Sequence, residues 1–588
     1  MEVIPAKACV RVGNPAGLAQ NDRALLIQMK GASINTASSS AFGDTVSMAN
    51  AGNYELGTIC YIRGDSVFFV YMLLNSYTVS GKVQLVRVPE YSSAIVTDTL
   101  RASPWNNTTG MGGVVAIYVD NDLTLNAPIS ADSSGFRGGG YRLSNGTCNN
   151  TPGANGYDYN ANSLAPQNGA FKGEGVADVA TAQSGGRGAP ANGGGGGNNH
   201  NNGGAGGANL SAGGDGGGNS SSTGCNLAYV GKGGKALSSY GGTKLYLGGG
   251  GGAGHVNNGF VVSNGGGHGG GIVFVRANTL IGNSQIISAN GQVGGAAASD
   301  GASGGGGGGT VVMAVTNYSG GATIAANGGQ GGTEDDGLNI NKCYGSGGGG
   351  SGGVIYFSGA TPALTVTTAG GAAGPEINHD VSCHAAVSSA AGTAGSVVQN
   401  YSYFESLVLT SNYCSSLLPV SLEYFTAQRN QQGVLLSWKT GQADAIESFT
   451  VEKMTGNHEW TALALLPAQV AVDRYQFTDG TLKPGNNLYR LLTVLHSGER
   501  SYSAIRSILV ASDLQPLMVY PNPATNRLLL TGGTGPATMN LFDVSGKLVW
   551  KTRLIFSQGR VEISLPAITE GVYMLQVGQA VRRLVIRR

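Results

Sequence analysis

The chain has few charges, few aromatic residues and no long apolar segment. Charged residues make up 11% of its 588 residues and nearly balance, with a formal net charge of +1 at pH 7. Phe, Trp and Tyr together make up 7%. A chain this neutral carries no basic footprint, so we expect no nucleic-acid partner. Its longest apolar stretch, residues 67–74, is far shorter than the roughly 20 residues of a membrane-spanning helix. We therefore expect no transmembrane segment.

The seven cysteines lack the spacing of a metal or redox motif. None forms a CxxC pair, which argues against zinc sites and thioredoxin-like chemistry. Several lie in polar or glycine-rich segments, such as Cys148 in SNGTCNN and Cys343 in NKCYGSG. In an exported protein some of them would close loops as disulfides, and the alternative is isolated buried thiols.

Glycine is the residue in excess. The chain has 101 glycines, which supply roughly a third of residues 131–375 without the G-X-Y period of collagen. Four stretches share one pattern of two glycines, an apolar strand, a short turn, a second strand and a closing small residue. They are residues 112–139, 270–295, 308–332 and 352–374. So short a unit buries its strand only when stacked on its neighbours. The repeat predicts an irregular parallel β-helix, or solenoid, over residues 111–400.

The glycine clusters between these units allow two interpretations. Residues 191–224 have the composition of a disordered linker. Alternatively, the clusters pack on each other as extended polyglycine-II-like strands on one side of the solenoid. We favour the second interpretation, in which glycines occupy tight corners or places where two backbones approach closely.

Ordinary β patterns flank the glycine-rich region. Residues 1–110 contain runs of β-branched and aromatic residues and predict an N-terminal β domain. Its Arg63-Gly64-Asp65 tripeptide is interpreted as a plain turn and not as a receptor-binding motif. From Leu417 glycine returns to ordinary levels, and seven short strands predict a β-sandwich over 417–511, with Trp438 and Tyr489 in its core. The predicted fold class is all-β.

No catalytic constellation stands out from the sequence. Two acidic clusters, Glu334-Asp335-Asp336 and Asp120-Asn121-Asp122, admit a loosely bound calcium ion, but solvated turns are favoured. The HDVSCH stretch, with His379, Asp380, Cys383 and His384, admits a metal site, but a polar loop is favoured. We therefore expect no catalytic residue, no metal and no cofactor, and a protein that is not an enzyme.

The final 75 residues carry the most specific motifs. LMVYPNPATNRLLLTG is followed by the hairpin FDVSGKLV, by LPAITEGVYML and by a basic terminus. Pro521 and Pro523 remove two ladder donors, Ser545-Gly546 makes a hairpin turn, and Gly571 precedes a last strand pair. These features predict a second small sandwich over residues 514–588.

This last segment resembles the type A C-terminal sorting domain of the Bacteroidota type IX secretion system. The residues that match the sorting signal are Pro521, Asn522, Pro523, Gly546, Gly571, Tyr573, Arg587 and Arg588. The family usually ends on lysine, whereas this chain ends on arginine. Residues 417–511 resemble the fibronectin type III module found near the ends of secreted Bacteroidota proteins. Together the two resemblances cover about 30% of the chain.

The resemblance implies export by a cleaved signal and then through the type IX translocon. The expected location is the extracellular space or the outer-membrane surface of a Gram-negative bacterium, and a further expected partner is surface lipopolysaccharide. The amino terminus as given lacks a basic start followed by an apolar core, so it shows no signal peptide. We expect a structural, adhesin-like protein that binds glycans or copies of itself, with assembly into fibres as an option. The alternative is an extracellular polysaccharide-active or carbohydrate-binding β-helix protein.

Overall fold

The computed structural model divides the chain into two compact units, residues 1–416 and 417–588. It describes residues 2–4, 8–140, 142–143, 156–160, 170–198, 200–219, 229–237, 244–257, 265–337, 343–378, 388–403, 422–441, 446–455, 459–469, 472–496, 500–510 and 517–587. These residues contain strands, two 3₁₀ turns (Val79–Gly81 and Thr181–Gln183) and no α-helix. The chain is therefore all-β, which confirms the predicted class.

An antiparallel sheet opens the first unit. The strands of this region are β1 (Glu2–Ile4), β2 (Cys9–Arg11), β3 (Arg23–Gln28), β4 (Ser33–Ile34), β5 (Thr45–Ser47), β6 (Tyr54–Arg63), β7 (Ser66–Phe69) and β8 (Val83–Val88). Six of them pair in the order β1-β2-β7-β6-β3-β8, and β4 pairs with β5. Both faces of β3 are buried, because Leu25 and Ile27 enter one apolar core and Ala24 and Leu26 enter another. Residues 63–65 form the predicted turn between β6 and β7.

Three parallel sheets follow. Their strands are β9 (Glu90–Tyr91), β10 (Ala94–Val96), β11 (Leu100–Arg101), β12 (Val114–Val119), β13 (Asp122–Leu125), β14 (Ile129–Ser130), β15 (Ile272–Ile281), β16 (Gln285–Ser288), β17 (Ala297–Ala298), β18 (Thr310–Ser319), β19 (Ala322–Ala325), β20 (Glu334–Asp335), β21 (Val354–Phe357), β22 (Thr365–Thr367), β23 (Glu376–Ile377) and β24 (Ser396–Val398). The sheet orders are β10-β13-β15-β18-β21-β24 with β12 joining β9 and β15, β11-β14-β16-β19-β22, and β17-β20-β23.

The four repeat units occupy equivalent positions in these sheets. Val114 pairs with Ile272, Ile272 with Thr310, and Thr310 with Val354, so the residue after each glycine pair begins the first strand. The parallel pairing begins earlier than expected, however, because β9, β10 and β11 already pair with β12, β13 and β14. The predicted N-terminal domain, residues 1–110, thus includes the first row of the parallel sheets, which no glycine pair marks in the sequence. The division into four domains otherwise stays a prediction.

The first strands of the four repeats, β12, β15, β18 and β21, are largely buried on both faces. Val311, Met313 and Val315 of β18 face a core shared with β16 and β19, whereas Val312 faces the core that the N-terminal sheet closes. Alternating polarity disappears when a strand is covered on both sides, which explains the unbroken apolar runs of the repeats.

The glycine clusters form a bundle of extended segments. Its segments are residues 134–140, 170–176, 192–198, 202–209, 211–219, 231–235, 248–256, 265–271, 289–295, 301–309, 326–332, 345–353, 368–374 and 388–395. In the central segment, residues 301–309, every third N–H group donates to the same neighbouring segment. The N–H groups of residues 301, 304 and 307 donate to segment 248–256, those of 302, 305 and 308 to 345–353, and those of 303, 306 and 309 to 289–295. Its carbonyls accept from three further segments, 202–209, 265–271 and 326–332.

Six hydrogen-bonded neighbours and three residues per turn are the geometry expected of polyglycine-II-like packing. The described part of residues 191–224 belongs to this glycine bundle, so the disordered-linker interpretation is wrong for those residues. Backbone spacing explains the composition. A Cβ atom added at Gly305 would lie 2.1 Å from the carbonyl oxygen of Gly329, and one at Gly350 would lie 1.9 Å from that of Gly306. Neither glycine has a positive φ, so space, and not backbone freedom, requires glycine here.

Two pairs of antiparallel sheets form the second unit. The first pair contains β25 (Leu422–Asn430), β26 (Gly433–Thr440), β27 (Ile446–Met454), β28 (Trp460–Pro467), β29 (Arg474–Asp479), β30 (Gly485–Leu495), β31 (Arg500–Tyr502) and β32 (Arg506–Val510). The orders are β25-β26-β29 and β28-β27-β30-β31, with β32 also on β30. These eight strands, where seven were expected, share one core that includes Trp438 and Tyr489.

The second pair contains β33 (Met518–Tyr520), β34 (Arg527–Thr531), β35 (Gly535–Asp543), β36 (Leu548–Phe556), β37 (Arg560–Ser564), β38 (Gly571–Val577) and β39 (Ala580–Ile586). The orders are β33-β34-β37 and β36-β35-β38-β39. Side chains of both sheets, including Leu528, Leu541 and Leu575, share one core.

Candidate functional site

The Pro-Asn-Pro segment covers the outer edge of the last strand. β39 pairs with β38 on one side only, and on the other side the Asn522 side chain binds its backbone. The Asn522 amide donates to the carbonyl of Arg583 at 2.8 Å, and its Oδ1 accepts from the Val585 N–H at 2.8 Å. The Ala524 N–H donates to the Val585 carbonyl, and the Arg587 N–H donates to the Ala524 carbonyl. Because proline offers no donor, this cover does not present a new pairing edge.

The other sorting residues hold turns of the same domain. Gly546, with φ +85°, closes the β35–β36 hairpin, where the Asp543 carboxylate accepts from the N–H groups of Ser545 and Lys547. The hydrogen bond from the Ser545 hydroxyl is the largest cause of the lowered pKa of Asp543, and the bonds from the two N–H groups lower this pKa further. Gly571 begins β38, and the buried Tyr573 donates its hydroxyl to the Thr569 carbonyl at 2.8 Å. Arg588 lies outside the described residues.

Basic residues are concentrated in this domain. Residues 518–588 contain nine Lys and Arg but three Asp and Glu, whereas the whole chain is nearly neutral. Arg583 and Arg587 are exposed beside the covered edge, so the end of the chain forms a folded basic surface. The structure thus brings together Pro521, Asn522, Pro523 and Arg587 at one edge, and leaves Gly546 and Gly571 at separate turns.

The acidic stretch 334–336 is not the solvated turn that the sequence favoured. Glu334 and Asp335 form β20, whose register with β17 and β23 turns alternate side chains inward, so Glu334 and Asp336 are buried and Asp335 is half-buried. Burial raises the pKa of Glu334 to about 8. Among the described residues, no three His, Cys, Asp or Glu side chains are grouped to hold a metal ion. Asp120, Asn121 and Asp122, by contrast, are exposed at the turn between β12 and β13.

The remaining sequence candidates are the residues that admitted a metal site and the cysteines. His379, Asp380, Cys383 and His384, which admitted a metal site but for which a polar loop was favoured, lie outside the described residues. Cysteines are paired in part, since Cys60 and Cys343 are disulfide-bonded, which confirms that disulfides form. Cys148, Cys225, Cys383 and Cys414 lie outside the described residues, and Cys9 is buried.

One pocket of about 580 Å³ opens in the first unit, and nothing in the sequence indicated it. Its walls combine the glycine bundle with residues from the N-terminal sheet region. Its lining includes the side chains of Lys30, Asn107, Arg137, Phe171, Lys172, Glu174, Asp178 and His268. Lys30 and Glu174 are 144 positions apart and Arg137 and His268 are 131 apart, so no local motif could have indicated the site.

Both carboxylates in this pocket are paired with cations. The Lys30 Nζ lies 2.9 Å from Oε1 of Glu174 and 2.9 Å from Oδ1 of Asp178, and the Arg137 Nε lies 3.4 Å from Oε2 of Glu174. Lys172 donates to the carbonyls of Tyr157 and Gly185. His268 accepts from the Gly138 N–H through Nδ1, and burial lowers its pKa, so the imidazole is neutral near pH 7.

Comparison with protein families identifies the last domain. Residues 518–587 match the family described as "Secretion system C-terminal sorting domain". The match includes every sorting residue named above except Arg588. It supports a type IX secretion substrate and implies interaction with that machinery and export to the cell surface or the extracellular space. Among the described residues, no helix is long and apolar enough to cross a membrane.

Two solved structures illustrate the similarity to parts of the chain. Dimeric latent PorU from Porphyromonas gingivalis is 12% identical over 34% of this chain and 22% of its own, with a TM-score of 0.14. Fibronectin(III)-like modules of CbhA from Clostridium thermocellum are 15% identical over 28% of this chain and 92% of their own, with a TM-score of 0.12. This chain thus spans less than a quarter of PorU, and scores this low carry no argument about its fold or activity. No curated protein matches the chain.

Proposed function

We propose that this chain is a structural, adhesin-like protein of the cell surface or extracellular space, delivered by the type IX secretion system, and that it is not an enzyme. The observation that carries the proposal is the glycine bundle. Every N–H of residues 301–309 is paired with a backbone carbonyl of another segment, and the glycines supply no side chain for catalysis. Such a region offers shape and rigidity instead of reactive groups.

The finer architecture belongs to the same proposal. We interpret the three parallel sheets as an irregular β-helix that carries the glycine bundle on one side. We likewise interpret residues 422–510, with three- and five-stranded sheets around Trp438, as a fibronectin type III-like spacer. In the sequence this spacer lies between the first unit and the sorting domain. Surface lipopolysaccharide, glycans and copies of the chain are the proposed partners.

The proposal is tested by following the protein in cells of a bacterium that has the type IX system. We expect the full chain at the cell surface or in the medium, and a variant lacking residues 518–588 retained inside the outer membrane. Negative-stain images of cells and of purified protein should show surface decoration or assembled particles. Dispersed monomers that bind neither cells nor surfaces would contradict the adhesive role.

The pocket favours a second candidate, an extracellular carbohydrate-binding or polysaccharide-active protein. Glu174 and Asp178 supply two carboxylates, as glycan-cleaving sites require. Both carboxylates, however, are ion-paired with Lys30, and a general acid needs a protonated carboxyl group. Release of reducing sugar from plant and algal polysaccharides would establish turnover, whereas retention of the polysaccharide without release would indicate binding alone.

A further inference from the structure

The pocket is assembled from residue types that the chain otherwise uses sparingly. Only 11% of the residues are charged, yet Lys30, Arg137, Lys172, Glu174 and Asp178 all line this one pocket. Lys30 is 2% exposed in its side chain, and Glu174 is 12% exposed. Burying an ion pair costs desolvation energy that an apolar pair would avoid, so its presence needs a reason beyond stability. Convergent polar groups in a well-formed pocket are the usual mark of a ligand site.

The pairing of these charges restricts the ligand's charge. Lys30 pairs with Glu174 and Asp178, and Arg137 also approaches Glu174, so both carboxylates are paired with cations. The third cation, Lys172, is held by the backbone carbonyls of Tyr157 and Gly185. Neutral His268 adds no charge. A strongly anionic or cationic ligand would have to displace one of these partners. A neutral ligand keeps every pair intact and still finds polar atoms on several sides.

The shape and chemistry of the walls indicate a polyhydroxylated ligand. The exposed carboxylate of Asp178, 57% accessible, can accept hydrogen bonds from hydroxyl groups, and Arg137, 52% accessible, can donate them. Asn107 provides both a donor and an acceptor. The ring of Phe171, beside Gly140, offers an apolar surface for the C–H face of a sugar ring. A volume of about 580 Å³ accommodates a small oligosaccharide.

We propose that this pocket binds a neutral saccharide, with Phe171 against the face of one sugar ring and Asp178 and Arg137 hydrogen-bonded to its hydroxyls. This inference deepens the proposed function, because it names the ligand class of an adhesive surface protein. No bond is made or broken in this role.

Calorimetric titration of the purified full chain tests the proposal. The probes are cellohexaose, laminarihexaose, xylohexaose and mannohexaose, with tetragalacturonic acid as an anionic comparator. We expect saturable binding of at least one neutral probe, weakened about tenfold or more by Phe171→Ala and by Asp178→Ala. Matched controls are Tyr91→Ala and Asp120→Ala, which remove an exposed aromatic and an exposed acidic side chain elsewhere in the first unit and should leave binding unchanged.

The outcomes separate this inference from the surface role. Absence of binding to all four neutral probes, binding that the two pocket variants leave unchanged, or preference for the anionic probe would overturn it. Thermal unfolding of each variant establishes that lost binding is not lost folding. Display on cells is measured independently, so a displayed chain that binds no saccharide refutes the pocket assignment while leaving the surface role in place.

Discussion

Single glycines determine whether segments of the bundle can approach each other. A substituted Cβ has no empty volume to enter where a neighbouring carbonyl oxygen lies about 2 Å away. Gly359, in contrast, has no positive φ, and a methyl group added there would meet nothing within 4 Å. The two environments provide a matched comparison of one substitution.

We predict that Gly305→Ala destabilises the first unit by about 3 kcal/mol or more, because overpacking forces backbone segments apart. The measurement is the unfolding transition of the full chain followed by differential scanning calorimetry, with Gly359→Ala as control. The control should leave the first-unit transition nearly unchanged. Equal effects of the two substitutions would mean that close packing is not what requires glycine.

Asn522 is a positioning residue of the sorting domain. Its side chain makes two hydrogen bonds to the backbone of β39, each of which contributes about 1 kcal/mol. We predict that Asn522→Ala loosens the last strand and lowers the exported fraction, whereas Asn526→Ala, an exposed asparagine of the same domain, does not. Cell fractionation measures export, and hydrogen exchange of the Val585 amide measures the strand. Normal export of a variant whose last strand is loosened would show that sorting does not require the covered edge.

Glu334 in the short strand β20 makes the stability of the parallel sheets depend on pH. Burial is the largest cause of the raised pKa of Glu334; the neighbouring charges of Asp335 and Glu376 raise it further, and a hydrogen bond with Asp336 partly opposes them. The folded state therefore keeps a proton up to pH about 8, whereas the unfolded chain releases it near 4.5. Between these values the folded state binds more protons, so this contribution to stability is full below 4.5 and is lost as the pH rises toward 8.

We predict that Glu334→Gln flattens this dependence. As the pH rises from about 5 to about 9, the melting temperature of the wild-type first unit should decrease relative to that of the variant. Asp335→Asn, at the half-buried neighbouring position, should retain the wild-type slope. Parallel melting curves for the wild type and Glu334→Gln would show that Glu334 does not retain its proton in the folded state.

Disulfide bonds add covalent links to the packing of the first unit. Cys60 lies in β6 of the N-terminal sheet and Cys343 precedes a glycine-bundle segment, and both are disulfide-bonded. Disulfides persist in proteins exported from the reducing cytoplasm, which agrees with a sorting domain at the end of the chain.

We predict that reduction destabilises the first unit by about 2–5 kcal/mol, the usual effect of losing a native disulfide. Melting with and without a phosphine reductant measures it. The Cys60→Ser, Cys343→Ser double variant serves as control, since the reductant should have a smaller effect on it. An unchanged melting temperature in the wild type would contradict a stabilising role.

Local patterns were sufficient where neighbours in sequence are also neighbours in space. The glycine pairs before residues 114, 272, 310 and 354 predicted the first strands of the repeats, because a strand and its preceding corner form one continuous backbone. Pro521 and Gly546 likewise indicated a β domain of the sorting type. The sequence did not indicate that the parallel sheets start at Glu90, since β9–β11 carry no glycine pair and are defined only by the strands they pair with.

Composition and periodicity were enough to establish an all-β chain with glycine segments packed against each other, because both depend on backbone sterics that each residue type carries with it. Three other features depended on segments far apart in the chain: which glycines lack room for a methyl group, which two acids of 334–336 are buried, and how Lys30 meets Glu174. Those contacts exist only after the sheets and the bundle have closed, and burial and pairing, not residue identity, then set the chemistry of the side chains.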